Sequence, residues 1–306
     1  MSDFQVHKSI VIDAPVSQIF ETIRNFKTWP DWSPWLIADP DAAVIFDLDD
    51  KGYSWKGPVA GSGGMRIEGV QENEKISYDL AFLKPWKSTA KFQFEFSEVS
   101  GGTEVTWKMQ SSLPFFMFFM KDMMVAMIGM DYTRGLAMLK DLVETGSVPS
   151  VLSFSEDEFR ERLFVGLQRS CSTNEISGSM KDDFAQLNEW VANSKVVPMG
   201  APFAIYHKWD FVKERTDYTI GYPVAAPVET LPQGFFNGVA PGMKTYAVKH
   251  TGPYRHLGNA WSAGIMRSRS GVFKQNKKAA PIEIYETNPA EVPENESITT
   301  VHIPMR

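Results

Sequence analysis

The sequence predicts a mixed α+β protein of two domains: an antiparallel sheet closed by a long C-terminal helix, then a duplicated strand–helix–strand–strand domain. Three observations carry this expectation. Residues 1–145 alternate apolar and polar positions in several stretches that end in one long helical run. Residues 145–158, "TGSVPSVLSFSEDE", lose that pattern. The remainder repeats the order strand, helix, strand, strand twice. A length of 306 residues suits two domains of about 150 each, with boundaries expected at 1–148 and 155–306 and a linker over 145–158.

The first segment, "FQVHKSIVIDAP", reads as a strand running into a turn, where Asp13 can cap a helix that has Pro15 in its first turn. Ile19, Phe20 and Ile23 then fall on one helical face. "TWPDWSPW", with its two prolines and three tryptophans, reads as a loop holding large apolar surfaces, and "GSGG" at 61–64 as a turn. "KFQFEFSEV" places Phe92, Phe94 and Phe96 on one face of a strand. "TEVTWKMQSS" does the same with Val105, Trp107 and Met109, and "SGG" between the two is a hairpin turn. From Pro114 to about Glu144 the chain reads as a helix carrying Met117, Met120, Met123, Met124, Met127, Met130 and Met138. Methionine fills irregular space, so this stripe is expected either to pack a core or to wall an apolar ligand cavity. Lys121 and Asp122 lie in the middle of its most apolar part and argue against a membrane span.

This layout, a helix-grip, together with "IVIDAPVSQIFETIRNFKTWPDWSPW", resembles the START-like (SRPBCC) superfamily of polyketide cyclases, dehydrases and lipid-transfer proteins over roughly residues 3–145. The resemblance implies the fold and a cavity for a small hydrophobic ligand; one such scaffold hosts many ligands.

In the second half, "RLFVGLQRSCST" is a strand and "MKDDFAQLNEWVANSKVV" a helix with Phe184, Leu187 and Val191 on one face. "APFAIYHKWD" and "DYTIGYPVA" are strands. The order recurs as "MKTYAVKHTGPY", "RHLGNAWSAGIMRSRSGV", "APIEIYETNP" and "SITTVHIPM". Two such copies should pack about a pseudo-twofold axis with a groove between them.

The copies differ at one position. "PFAIY" has Ala204 where "PIEIY" has Glu283. Side chains alternate along a strand, so Ile282 and Ile284 are expected to pack on the repeat's helix while Glu283 and Tyr285 face the groove. In the first copy Ala204 and Tyr206 face it. One wall then carries a charge and the other leaves room. A carboxylate among aromatic rings suits a flat cationic ligand, through cation–π contact and a counter-charge. Tyr206, Tyr222, Tyr254, Trp261 and Tyr285 are the candidate groove aromatics, with His302 as a further candidate.

"YAVKHTGPYRHLGNAW", "PIEIYETNP" and "TTVHIPM" resemble the GyrI-like effector-binding domain, over about residues 157–306. That resemblance implies a drug-binding role for Glu283 by position. Some relatives of the domain hydrolyse strained electrophiles, which makes Glu283 acting as a base the alternative. A regulatory contact with a protein partner such as gyrase is a third reading. The last strand of related domains often has a tyrosine near His302, a departure that leaves the role of His302 open.

Other chemistry finds no support. The net charge of −6 argues against duplex binding. The histidines at 7, 207, 250, 256 and 302 show no compact metal-ligand spacing with Cys171. No nucleophile elbow, Walker loop or dinucleotide fingerprint is present, so no cofactor is expected. A single cysteine fits a reducing compartment, and the start of the chain has no signal-peptide core; a cytoplasmic protein without stable membrane insertion is expected.

Overall fold

The computed structural model describes residues 2–85, 87–113, 115–210 and 212–306, with side chains apart from those of Ser2 and 112–117. The chain divides into two units, Met1–Ser150 with Ile265–Val272, and Val151–Gly264 with Phe273–Arg306. Among the described residues no helix is long and apolar enough to cross a membrane.

In the first unit β1 (Ser2–Ile12) leads to α1 (Val16–Arg24), and a helical turn at Phe26–Thr28 leads to α2 (Trp29–Trp32). Then come β2 (Ala43–Phe46), β3 (Gly52–Gly57), β4 (Gly61–Gln71), β5 (Lys75–Lys84), β6 (Ser88–Val99) and β7 (Gly102–Leu113), and α3 (Lys121–Thr145) closes the unit. The strands form one antiparallel sheet in the order β1-β7-β6-β5-β4-β3-β2.

Alternation along β6 and β7 turns Phe92, Phe94, Phe96, Val105 and Trp107 to one buried face. Trp29 and Trp32 pack there with ring centroids 4.5 Å apart. Tyr132 of α3 stacks on Trp107 at 4.0 Å. Gly135, one turn on, permits this approach: a Cβ there would lie 2.8 Å from the Trp107 ring.

Several local expectations are corrected. "TWPDWSPW" is not wholly irregular, because Trp29–Trp32 form a helical turn whose two indoles are driven into the core. Asp13 does not cap α1; Pro15 is the N-cap, with no side-chain hydrogen bond. "GSGG" lies in β4 rather than in a turn. Its glycines admit a neighbour: a Cβ on Gly63 would meet the Trp55 ring at 2.5 Å. The hairpin between β6 and β7 turns at Ser100–Gly101 as expected.

The second unit contains β8 (Val151–Phe159), β9 (Arg162–Ser172), α4 (Ile176–Asn193), β10 (Phe203–Asp210), β11 (Arg215–Pro223), β12 (Phe235–Ala240), β13 (Met243–Thr251), the part of α5 (Gly258–Arg269) up to Gly264, β14 (Ile282–Tyr285) and β15 (Ile298–Pro304). The stretch read as a linker therefore includes most of a strand: β8 pairs along its length with β13. The sheet order is β12-β9-β11-β10-β14-β15-β13-β8.

The repeat is visible in that order. β9, β11 and β10 of the first copy mirror β13, β15 and β14 of the second, and the copies join where β10 pairs with β14. The junction is symmetric in its hydrogen bonds. Tyr206 N–H donates to Pro281 C=O, and Tyr285 N–H donates to Pro202 C=O, both at 3.0 Å.

One face of this sheet packs under α4 and α5, around Val165, Leu187, Tyr218, Ile220, Val248, Ala260 and Val301. The other face gathers Phe159, Phe164, Phe203, Ile205, Ala240 and Ile282. This second cluster draws on β8 and β12, the two edges of the sheet, so the sheet curls around it. The isoleucines of "PIEIY" thus pack on phenylalanines from neighbouring strands and not on the repeat's helix. Alternation shows which residues share a face; it does not show which face the helices cover.

Candidate functional site

β10 and β14 pair in the register Phe203↔Ile284, Ala204↔Glu283 and Ile205↔Ile282. The two positions that distinguish the repeats are therefore cross-strand partners at the centre of the sheet. Both point to the helix-covered face, and both are buried, Ala204 at 0% and Glu283 at 2% exposure.

The Glu283 carboxylate is held by three neutral donors. Tyr206 Oη donates to Oε2 at 2.7 Å and Tyr285 Oη to the same oxygen at 2.6 Å. Trp261 Nε1 of α5 donates to Oε1. Among the described residues no lysine, arginine or histidine forms an ion pair with it.

Burial pushes the Glu283 pKa above the usual carboxylate range, and the three donors offset only part of that shift. Burial first, and then the charge of Glu283, raises Tyr206 and Tyr285 well above ordinary phenols. Both therefore stay protonated and donating at neutral pH.

Aromatic rings surround the carboxylate. Trp261 meets Tyr206 edge-on at 5.1 Å, Trp209 stacks on Tyr206 at 5.3 Å, and Phe184 of α4 meets Tyr285 at 5.1 Å. Met180 Sδ lies 3.5 Å from the Tyr206 hydroxyl. Tyr254, 42% exposed, stands at the rim with its ring 5.9 Å from that of Tyr285.

Of the sequence candidates, Glu283, Tyr206, Tyr285 and Trp261 come together, and Tyr254 borders them. Tyr222 shares their face of the sheet, but its hydroxyl donates to Asn188 Oδ1 on α4 at 2.8 Å instead. His302 is on the opposite face. It pairs with Ile282 across β15, its Nδ1 is 3.0 Å from Thr245 Oγ1, and its ring is 5.9 Å from Phe159.

Trp209 was not among the candidates. Simple alternation from Tyr206 turns Trp209 to the opposite face. A bulge between Tyr206 and Lys208 shifts the register and returns it to the Tyr206 side. His207, at the bulge, bonds Thr219 Oγ1 at 2.8 Å.

Asp183, a buried acid on the sheet-facing side of α4, has a different environment. Arg169 Nε lies 2.9 and 2.7 Å from its two oxygens, and Tyr218 Oη donates to Oδ2 at 2.8 Å. Its charge is thus neutralised, and it fastens the helix to the sheet. Among the described residues no group of three His, Cys, Asp or Glu is placed to hold a metal ion.

The first unit contains a cavity of about 50 Å³ lined by rings including Trp35, Tyr53, Trp55, Phe82, Trp107 and Tyr132. A cavity of about 150 Å³ is needed for benzene, so this space takes only a few atoms and has no room for a lipid chain. The methionines of α3 do not line it. Met138 is buried in the core, Met124 packs partly against it and Met123 is exposed; the side chain of Met117 lies outside the described residues.

A family model for polyketide cyclase / dehydrase and lipid transport matches residues 3–144, and one for the GyrI-like small molecule binding domain matches residues 154–306. No curated protein matches the chain. Among solved structures, the crystal structure of the EcmrR C-terminal domain is 16% identical over 51% of this chain and 98% of that one, with a TM-score of 0.44. The EcmrR–DNA complex seen by cryo-electron microscopy is 15% identical over 60% of this chain and 68% of that one, with a TM-score of 0.45. The solution structure of the Aha1 dimer from Colwellia psychrerythraea is 17% identical over 47% of this chain and 98% of that one, with a TM-score of 0.36.

Proposed function

We propose, for a chain whose residues 154–306 belong to the GyrI-like small-molecule-binding family and whose residues 3–144 belong to the polyketide cyclase / dehydrase and lipid transport family, that the second unit binds flat aromatic cations against Glu283. One observation carries this reading. Glu283 is a carboxylate at 2% exposure with no cationic partner among the described residues, ringed by Tyr206, Tyr285, Trp209 and Trp261. An unpaired buried charge is costly. A cation that brings its own aromatic surface would compensate that charge and stack on the rings. Trp261 covers Oε1 in the free protein, so the ligand takes the place of that indole.

The two tyrosine hydroxyls on one carboxylate oxygen favour a second reading, hydrolysis of a strained electrophile. Glu283 would take a proton from water as the water oxygen bonds to the electrophilic carbon. Tyr206 or Tyr285 would give its proton to the atom released. For the first unit, the aromatic cavity supports a compact apolar ligand only.

The counter-charge reading is tested by the pH dependence of affinity for N-methyl-4-phenylpyridinium. Only ionised Glu283 attracts the cation, and its pKa is raised in the free protein. Affinity is expected to be level at high pH and to fall as pH drops through that raised pKa, ahead of an ordinary carboxylate near about 4.3. Titration calorimetry from about pH 8 to about pH 4 measures this. A flat profile would contradict it.

A further inference from the structure

We infer that Ala204 makes this a one-charge site: it accepts aromatic monocations and excludes dications of the same shape. The inference rests on the counter-charge reading of Glu283.

Strand pairing places Ala204 directly opposite Glu283, where side-chain β-carbons are about 4.5–5.5 Å apart. Ala204 is fully buried on the same face. It therefore occupies the position of the second carboxylate in a symmetric pair, and it has no charge to offer.

The tyrosines fit a site built around one acid. Tyr206 and Tyr285 hold equivalent places in the two copies, yet both hydroxyls converge on Oε2 of Glu283. The donor that would serve an acid at position 204 is engaged by the acid of the other copy. Asp183, the other buried acid on this face, is already neutralised by Arg169 and Tyr218.

A dication bound here would satisfy one charge at Glu283 and bury the second among Tyr206, Trp209 and Tyr218, where the nearby carboxylate, Asp183, is already paired with Arg169. An uncompensated buried charge opposes binding. Restoring symmetry with a second acid would supply that partner. In the absence of a dication, the two carboxylates would repel and share a proton.

The test uses two probes of nearly the same size, N-methyl-4-phenylpyridinium with one charge and N,N′-dimethyl-4,4′-bipyridinium with two. Titration calorimetry on the full chain is expected to give the monocation an advantage of about tenfold to hundredfold. Ala204→Asp and its isostere Ala204→Asn separate charge from bulk. The Asp variant should bind the dication about tenfold more tightly than the Asn variant does. Dication affinity within a few-fold of the monocation in the unaltered protein overturns the inference and leaves the counter-charge reading standing. If neither probe binds, both fall. Should the variants fail to fold, the ratio in the unaltered protein still decides.

Discussion

Glu283→Gln is expected to bind N-methyl-4-phenylpyridinium about ten- to hundredfold more weakly than the unaltered protein, while the neutral analogue 4-phenylpyridine changes by a few-fold at most. The size of the effect follows from the environment of the carboxylate. It is buried, no cation pairs with it among the described residues, and its three donors are neutral. Its charge therefore acts undiluted on a ligand at contact distance. Glutamine keeps the shape and an acceptor for the tyrosines, but it removes the charge. Its amide nitrogen also turns a donor toward either Trp261 Nε1 or the tyrosine hydroxyls, so the indole that covers the site loosens. Both probes feel that loosening, and only the cation feels the missing charge. The ratio of the two affinities, measured by calorimetry at about pH 8, isolates the electrostatic part. If Glu283 is instead a base, the same variant abolishes hydrolysis of a strained electrophile and largely spares its binding. Equal losses for the cation and its neutral analogue would remove the counter-charge role.

The largest expected effect on stability is in the first unit. Trp107→Ala should cost about 3–5 kcal/mol. Trp107 is 1% exposed and stacks on Tyr132 at 4.0 Å. It also contacts Phe94 at 4.7 Å and Trp32 at 5.8 Å. It thus joins β7 to α3 and to the tryptophan turn, and the surrounding rings are too rigid to close the space it would leave. For a domain of this size, such a loss lowers the midpoint of the first unit's thermal transition by about 10 °C or more. Scanning calorimetry reads it directly. A shift of only a degree or two would mean that the ring cluster can repack.

The sequence carried much of this architecture because the informative features were local. Phe92, Phe94 and Phe96 mark a strand through a period of two. The matching "PFAIY" and "PIEIY" segments mark the repeat. Glu283, Tyr206, Tyr285 and Trp261 were legible as a set because the repeat and alternation place three of them on one face, and the GyrI-like resemblance supports the strand and helix that hold them.

What was missed depended on distant contacts. Nothing near Ala204 announces that it pairs with Glu283, since residues far apart in sequence meet only when β10 and β14 join. The bulge after Tyr206 reverses the face of Trp209 with no glycine or proline to signal it. "GSGG" has turn composition, but it serves as strand where the Trp55 ring lies close. The methionines of α3 follow a helical period, yet the helix gives the cavity Tyr132, and the other rings come from the sheet and from Trp35. The same alternation that correctly separated Glu283 from Ile282 did not show which face α4 and α5 would cover.

The most direct measurement is the crystal structure of the full chain with N-methyl-4-phenylpyridinium. The pyridinium ring should lie against Glu283 Oε1, with Trp261 displaced from that oxygen and the Tyr206 and Tyr285 hydroxyls still on Oε2. A ligand bound elsewhere, with Trp261 Nε1 still donating to the carboxylate, would contradict the assignment of Glu283 as the counter-charge.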